Sequence, residues 1–242
     1  MVAHVLLVER DEGLLMVDSG FGTGDLADPG RLGKPFHVIV RPTLDPGETA
    51  LARVKALGFG PADVTDIVVT HLDIDHAGGL GDFPDARVHV LQAELDAVGR
   101  QPLRHRSRNA PAQWAHDVRW QTHAEPDDTW YGFPAITALG DDIVLIPLPG
   151  HTDGQAGVAV RDDSGHWLLH AGDAFFDGRQ METPPSCHRG LAGFQRFTAT
   201  SERTRRDTLE RLQALAAGHG DEVTVICAHD KRQYDALAGA AG

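Results

Sequence analysis

A dense group of histidine and aspartate side chains lies in the stretch THLDIDHAGG at residues 70–79. His71, Asp73, Asp75 and His76 fall within six consecutive residues. Imidazole nitrogens and carboxylate oxygens are the donors with which proteins bind zinc, manganese and iron. Such a group also occurs in an ordinary polar turn between a strand and a helix. The density of ligand types favours a metal site, and the spacing requires a compact loop to bring the side chains to one centre.

The residues on either side of this group predict where it lies in the fold. Ile67, Val68 and Val69 form a short, β-branched apolar run, which is typical of a buried strand. Gly78 and Gly79 permit a sharp turn after the group. We therefore expect the four side chains to follow the carboxyl end of a strand.

The same arrangement recurs along the chain. The strands that we predict cover residues 5–8, 14–17, 67–69, 87–91, 143–148, 156–161, 167–171 and 223–227. The polar residues that follow the ends of some of these strands are Asp18, His71, His151, Asp173 and His229. Ligands of α/β proteins gather at the carboxyl ends of strands, so this recurrence indicates a shared site.

Helices and loops are predicted between these strands. A helix is expected from Asp45, as its cap, to Gly58, and others at residues 93–98 and 201–217, the last ending at Gly218. Residues 19–45 and the segment around residues 184–193 are rich in glycine and proline and are expected to be loops.

Composition limits the classes of protein to consider. The chain has 242 residues, 41% of them hydrophobic and 24% charged, which is typical of one globular α/β domain spanning 1–242. The net charge of −13 disfavours nucleic acid or an anionic membrane as a partner. Cys187 and Cys227 form neither a zinc-ribbon spacing nor a disulfide framework, which favours reduced thiols. With no apolar run of membrane-spanning length and no recognisable targeting segment, we expect a cytoplasmic protein.

Four motifs together resemble the metallo-β-lactamase superfamily. They are HxDxDHAGG at residues 71–79, PGHT at 149–152, AGDA at 171–174 and AHD at 228–230. Among the branches of that superfamily, the chain most resembles the quorum-quenching acyl-homoserine lactonases. The resemblance extends over nearly the whole chain, from VDSG at residues 17–20 to His229.

The resemblance implies a mixed α/β fold, the four-layer αββα sandwich of this superfamily, with two metal ions at one edge. His71, Asp73 and His151 would hold the first ion. Asp75, His76 and His229 would hold the second, Asp173 would bridge both, and Asp18 would orient the ligand loops by hydrogen bonds. A hydroxide shared by two such ions would attack the substrate, and Asp75 would carry a proton, with Asp173 as the other catalytic carboxylate.

Asp73 departs from the lactonase pattern, which has histidine at this position. As a ligand, Asp73 would give the site three carboxylates and four imidazoles, favouring manganese or iron over zinc. The flavodiiron proteins, with glutamate there, and the DNA-uptake competence proteins, with the same HxDxDH form, offer precedents. The alternative is that Asp73 accepts hydrogen bonds beside the metal while water completes the metal's coordination.

The residues expected to line a substrate pocket also differ from the lactonase pattern. Lactonases carry a tyrosine three residues after the bridging aspartate, where this chain has Phe176, preceded by Phe175. Residues 99–135 contain Trp114 and Trp120 and several arginines, including Arg104, Arg106 and Arg108. This segment is predicted to be either a pocket wall or an ordinary surface excursion. Its arginines would meet an anionic substrate or form a solvated face.

Three functional hypotheses follow. The leading one is a dinuclear metal hydrolase of a small, uncharged, partly hydrophobic ester or lactone. The second is a phosphodiesterase or other phosphoryl hydrolase of the same fold, and the third is a non-catalytic or redox protein that binds two metal ions. The sequence does not specify the oligomeric state, and a homodimer is one assembly that we consider.

Overall fold

The computed structural model describes residues 1–100, 108–137 and 139–240. Arg104 and Arg106 therefore lie outside the described residues. The chain divides into two compact units. The amino-terminal unit is Val5–Thr122, and the carboxy-terminal unit is His123–Gly242 together with Met1–His4. That residues 1–242 form a single domain stays a prediction.

The amino-terminal unit is built on a mixed sheet. Its strands are β1 (Leu6–Arg10), β2 (Gly13–Val17), β3 (Val64–Val68), β4 (Arg87–Leu91) and β5 (Arg119–His123), in the order β1-β2-β3-β4-β5. Its helices are α1 (Thr23–Ala27), α2 (Lys34–Ile39), α3 (Ala50–Ala56), α4 (Ile74–Ala77) and α5 (Gln92–Ala97). Strand β1 pairs antiparallel with β2, whereas β3 runs parallel to both β2 and β4. The parallel strands place their carboxyl ends at one edge of this sheet.

Apolar side chains of this sheet form the core of the amino-terminal unit. Met16 on β2, Ile67 on β3 and Val88 on β4 are at most 1% exposed and belong to one cluster with Leu80 and Phe83. Central parallel strands are buried on both faces, which accounts for the consecutive buried residues Ile67 and Val68 at the end of β3.

The carboxy-terminal unit contains a second sheet. Its strands are β6 (Asp128–Trp130), β7 (Phe133–Ala135), β8 (Ile143–Pro147), β9 (Ala156–Arg161), β10 (Trp167–His170) and β11 (Val223–Ile226). Its helices are α6 (Arg189–Thr198), α7 (Glu202–His219) and α8 (Lys231–Ala240). The sheet has the order β11-β10-β9-β8, with β10 parallel to β11, and β6 pairs with β7 as a separate hairpin. Leu212 and Leu215 of α7 pack into the core of this unit.

Several predicted loops contain helices instead. Residues 19–45 hold α1, α2 and the 3-10 turn Pro29–Leu32, which begins where the Asp28 side chain accepts the Gly30 N–H. Helix α6 begins inside the predicted loop near residues 184–193 and contains two of its glycines. These helices are short or contain glycine, so neither apolar periodicity nor composition reveals them.

The predicted helix boundaries also need correction. The stretch after Asp45 is a 3-10 turn, Pro46–Glu48, and α3 starts afterwards with Thr49 as its cap, because the Thr49 hydroxyl accepts the Ala52 N–H. Helix α7 continues through Gly218 to His219. Among the residues that the structure describes, no helix combines the length and apolar character needed to cross a bilayer.

Candidate metal centre

The loop after β3 brings the predicted ligands of the amino-terminal unit together. His71 Nε2 lies 3.4 Å from Asp73 Oδ2, and the rings of His71 and His76 are 4.0 Å apart between centroids. Asp73 is the residue that precedes α4, so the chain turns immediately after it. His71, Asp73 and His76 are buried, and Asp75 is partly buried.

Asp18 fastens this loop to the end of β2. It has a left-handed backbone conformation, with φ of 60°, and its carboxylate accepts hydrogen bonds from the Thr70 N–H at 2.7 Å and the Thr70 hydroxyl at 2.9 Å. The same carboxylate lies 2.8 Å from His76 Nδ1. A carboxylate on one ring nitrogen fixes the tautomer and orientation of an imidazole that binds metal through the other.

Glycines allow the segment after His76 to pack closely against the loop after Asp18. A Cβ on Gly79 would lie 2.5 Å from the Ser19 carbonyl oxygen, and one on Gly78 would lie 2.6 Å from that of Gly20. The Ser19 N–H donates to the His76 carbonyl at 2.8 Å across this contact. The double glycine of the motif therefore permits the close approach that holds Asp18 beside His76.

Side chains distant in sequence hold the backbone of the ligand loop. Glu94 on α5 accepts the Leu72 N–H at 2.9 Å, and the Asn109 side chain donates to the Leu72 carbonyl at 2.5 Å. The Gln113 side chain donates to the carbonyl of Ile74 at 2.9 Å. None of these three residues belongs to a motif that the sequence reveals, since an isolated Glu, Asn or Gln has no recognisable spacing.

Arg108 is the principal contact that the sequence analysis missed at Asp73. Its Nη2 lies 2.6 Å from Asp73 Oδ2, and its Nε lies 3.0 Å from Oδ2 and 3.2 Å from Oδ1. Both side chains are only 11% exposed. The sequence predicts a substrate-binding or solvated role for Arg108, whereas the structure pairs it with a predicted ligand.

The predicted ligands of the carboxy-terminal unit also lie together. Asp173 Oδ2 is 3.3 Å from His151 Nε2 and 3.0 Å from His229 Nε2. His229 Nδ1 lies 2.7 Å from the Val2 carbonyl oxygen, to which it donates its proton. That hydrogen bond directs Nε2, the nitrogen beside Asp173, to act as the acceptor or metal ligand.

His4 lies close enough to the predicted ligand His229 to interact with it electrostatically. Its backbone N–H donates to the Ala228 carbonyl at 2.8 Å. Burial and the neighbouring His170 lower the pKa of His4 to about 4. The His4 ring is therefore neutral at pH 7 and adds no positive charge beside a predicted ligand.

The loop that carries His151 is fixed by the start of α7. The N–H groups of Thr200 and Ser201 donate to the carbonyls of His151 and Gly150 at 3.0 and 3.1 Å. Gly150 has a φ of +136°, and a Cβ there would collide with the backbone of Arg205. Glycine is therefore required both for the turn before His151 and for its contact with α7.

Of the residues predicted to line the pocket, Phe176 lies beside the ligands. Its ring centroid is 4.9 Å from that of His229 and 5.7 Å from that of His151. Phe175 is instead fully buried in the core of its unit, while Trp114 and Trp120 pack against the core of the amino-terminal unit. That these three side chains line a substrate pocket stays a prediction.

The donor separations within each unit fit a divalent cation. Two ligands at about 2.1 Å from one ion, at the angles of tetrahedral or octahedral coordination, lie about 3.0–3.4 Å apart. The His71–Asp73, His151–Asp173 and His229–Asp173 separations are 3.4, 3.3 and 3.0 Å. The described residues thus include histidine and aspartate groups able to hold a metal ion.

Comparison with known proteins identifies the family. The model of the metallo-beta-lactamase superfamily matches residues 1–219. A probable metallo-hydrolase of Mycobacterium tuberculosis is 39% identical over 239 residues, which cover 97% of this chain and 76% of that protein. The N-acyl homoserine lactonase AttM of Agrobacterium fabrum is 27% identical over 232 residues, covering 93% of this chain and 80% of that protein.

Solved structures show the same fold. The Bacillus thuringiensis protein AiiA, in a mutant form with N-decanoyl-L-homoserine at its active site, matches with a TM-score of 0.72 at 18% identity, covering 96% of this chain and 82% of that chain. AidC, described as a dizinc quorum-quenching lactonase, matches with a TM-score of 0.61 at 18% identity, covering 94% and 72%. The predicted mixed α/β metallo-β-lactamase fold is confirmed. The chain therefore belongs to the metallo-β-lactamase superfamily and is a metallo-hydrolase of that fold.

Proposed function

We propose that this metallo-hydrolase cleaves a small ester or lactone at a centre that holds two divalent cations. The ligands for the first ion would be His71, Asp73 and His151, those for the second Asp75, His76 and His229, with Asp173 shared. The observation that carries the proposal is the spacing of nitrogen and carboxylate donors, 3.0–3.4 Å apart within each unit. Membership of the superfamily supports the combination of the two sets.

Two bound cations would supply a nucleophile at neutral pH and polarise the carbonyl oxygen of the substrate. The protein's own residues orient these groups. The carboxylate of Asp18 and the Val2 carbonyl hold the rings of His76 and His229. Asp75, partly exposed and adjacent to His76, is the carboxylate that we assign to carrying a proton to the leaving oxygen, and Asp173 is the other catalytic carboxylate.

An uncharged acyl substrate similar to an acyl-homoserine lactone fits these features best. AttM, a relative over most of the chain, is named as an N-acyl homoserine lactonase. Phe176 offers an apolar surface beside two ligands and no hydrogen-bond donor. A partly hydrophobic substrate therefore suits this side of the site better than a densely charged one.

The proposed metals are zinc, or manganese or iron if Asp73 acts as an unshielded carboxylate. A cytoplasmic location and a homodimeric assembly are further proposals, which rest on the sequence expectations alone.

Phosphodiester hydrolysis is the second candidate, because the HxDxDH motif resembles that of the competence proteins. The arginines at residues 99–135 are weaker support for a phosphodiester substrate than their number indicates. One of them, Arg108, is paired with Asp73. The names of relatives that match over most of the chain, a probable metallo-hydrolase and a lactonase, favour hydrolysis over a non-catalytic or redox role.

Parallel assays with an N-acyl-homoserine lactone and bis-p-nitrophenyl phosphate, on protein loaded with zinc or manganese, distinguish the two reactions. We expect turnover of the lactone, lowered about a hundredfold or more in the Asp75→Asn variant, which removes the proposed proton carrier. Turnover of the phosphodiester alone would show that the lactone proposal is wrong.

A further inference from the structure

Arg108 pairs with the one predicted ligand at which the sequence departs from the lactonase motif. We infer that Asp73 and Arg108 act together in place of the neutral histidine of that motif, with Arg108 as a positioning residue for a metal ligand. This inference rests on the proposed metal-binding function. It concerns which ion the centre selects.

The hydrogen bonds between Arg108 and Asp73 have a defined geometry. Arg108 uses Nη2 and Nε on the same carboxylate, at 2.6 Å and 3.0 Å from Asp73 Oδ2, with Nε also 3.2 Å from Oδ1. A guanidinium that donates two N–H groups to one carboxylate fixes the plane of that carboxylate as well as neutralising it. Charge-assisted N–H···O hydrogen bonds are about 2.7–2.9 Å long, and the shortest of these contacts is slightly shorter than that.

The pairing is compatible with metal binding by the same carboxylate. An ionised carboxylate offers about four acceptor positions, so the guanidinium does not occupy all of them. Asp73 Oδ2 lies 3.4 Å from His71 Nε2, which is the separation expected of two ligands of one ion. A cation beside His71 would therefore share the Asp73 carboxylate with Arg108, whose two shorter contacts are both to Oδ2.

The sequence neighbour of Arg108 supports a positioning role. Asn109 donates to the carbonyl of Leu72, the residue between His71 and Asp73. The consecutive residues Arg108 and Asn109 thus hold the side chain of Asp73 and the backbone of Leu72. A surface arginine that met Asp73 by chance would not be expected to be anchored in this way.

The opposite charges of Asp73 and Arg108 determine how the pair affects the metal preference of the site. Exchanging histidine for aspartate adds one negative charge to the ligand set, and an arginine, which stays protonated at all relevant pH values, adds one positive charge. Both side chains are 11% exposed, so water screens them little and the two charges offset one another locally. The pair should therefore moderate the preference for manganese or iron that a bare carboxylate would create.

A double-mutant cycle on metal affinity tests the inference without reference to any substrate. The variants are Asp73→His, Arg108→Gln and the combination, and the readouts are the dissociation constants for zinc and manganese from chelator competition. Asp73→His should weaken zinc binding at least tenfold, because it leaves an uncompensated guanidinium beside the ion. The double variant should bind zinc within about threefold of wild type, since it restores a neutral set.

Arg108→Gln alone should shift the ratio of the two dissociation constants at least tenfold towards manganese. Arg119→Gln is the matched control, because it removes an exposed arginine that donates to the Asp85 carbonyl, and it should leave the ratio unchanged. Arg108→Lys, which keeps the charge but cannot form the fork, provides the comparison if Arg108→Gln does not fold by circular dichroism. It should keep the wild-type ratio within about threefold.

Additive effects in the cycle, with zinc binding by Asp73→His as tight as in wild type, would overturn the inference and leave the hydrolase proposal standing. Failure of the wild-type protein to bind either ion would overturn both. Metal binding with the predicted coupling, but without lactone turnover, would support the inference and reject the lactone substrate alone.

Discussion

The imidazoles proposed as ligands are oriented by neighbours that have no role as ligands themselves. Asp18 holds the Nδ1 side of His76, and the Val2 carbonyl holds the Nδ1 side of His229. Each contact makes Nε2 the nitrogen that would bind the proposed ion, and in His229 this nitrogen lies beside Asp173. Groups that fix a ligand in this way typically lower metal affinity 10- to 100-fold when they are removed.

Phe176 is a further neighbour of this kind, and Phe175 provides a matched control. Both are buried phenylalanines, but Phe176 packs against the rings of His151 and His229, whereas Phe175 lies in the core. Phe176→Ala and Phe175→Ala should each lower the free energy of unfolding by about 3–5 kcal/mol. Only Phe176→Ala should also weaken zinc binding, by about tenfold or more.

Chemical denaturation and zinc competition on the two variants provide the measurement. Equal zinc affinities in the two variants would mean that Phe176 serves packing alone and does not steady the imidazoles.

At the scale of single residues, the sequence predicts which side chains are ligands but not which side chains contact those ligands. The carboxylate of Asp18 contacts Thr70 and His76, and that Asp18 orients ligand loops stays a prediction. The partner of Asp73 was not predicted, because Arg108 lies 35 residues away in a segment with several arginines. Spacing alone does not distinguish among them.

At the scale of the elements, a buried aspartate links strands of the amino-terminal sheet. Asp66 on β3 accepts hydrogen bonds from Arg87 on β4 at 2.8 and 2.9 Å, and its carboxylate lies 2.9 Å from His89 Nε2 on β4. Arg10 on β1 lies 2.5 Å from the same carboxylate. Burial by itself raises the pKa of Asp66, but the hydrogen bonds from His89, Arg87, Thr65 and Arg10 outweigh it and hold that pKa far below its ordinary value.

A dependence of stability on acidic pH follows from Asp66. A carboxyl group whose pKa is lower in the folded state stabilises the fold above its unfolded pKa, near 3.8, and this contribution is lost as the pH falls below about 4. The free energy of unfolding of the wild type should therefore decline as the pH is lowered from 4 to 2. Asp66→Asn should be less stable by about 3 kcal/mol at pH 7 and should show a shallower decline in that interval.

Urea denaturation of both proteins at a series of pH values measures this difference. Parallel curves for the two proteins below pH 4 would show that other carboxyl groups, rather than Asp66, govern the acid sensitivity.

The elements themselves were predicted unevenly, for physical reasons. The strand at residues 87–91 and the strand at residues 156–161 match β4 and β9. The alternation of Val88 and Val90 defines the first, and the turn residues at 162–165 mark the end of the second. Helices α1 and α2 have five and six residues and were missed. Their geometry depends on local caps and on packing that no periodic pattern records.

For the whole molecule, motifs spread along the chain predict the fold better than any element does. The four motifs predicted the metallo-β-lactamase fold, which the family match confirms. In the proposed function, substrate choice would depend on side chains such as Phe176 that lie outside the ligand motifs. The central claim is that the proposed ligands hold two metal ions.

The number of metal ions per chain tests that claim most directly. Protein saturated with zinc or manganese, freed of unbound metal by gel filtration and measured by elemental analysis, should contain about two ions per chain, as a shared carboxylate between two ligand sets requires. His71→Ala and His229→Ala should each lower this number, because each removes a ligand of a different proposed ion. Fewer than one ion per wild-type chain under these conditions would contradict the dinuclear centre.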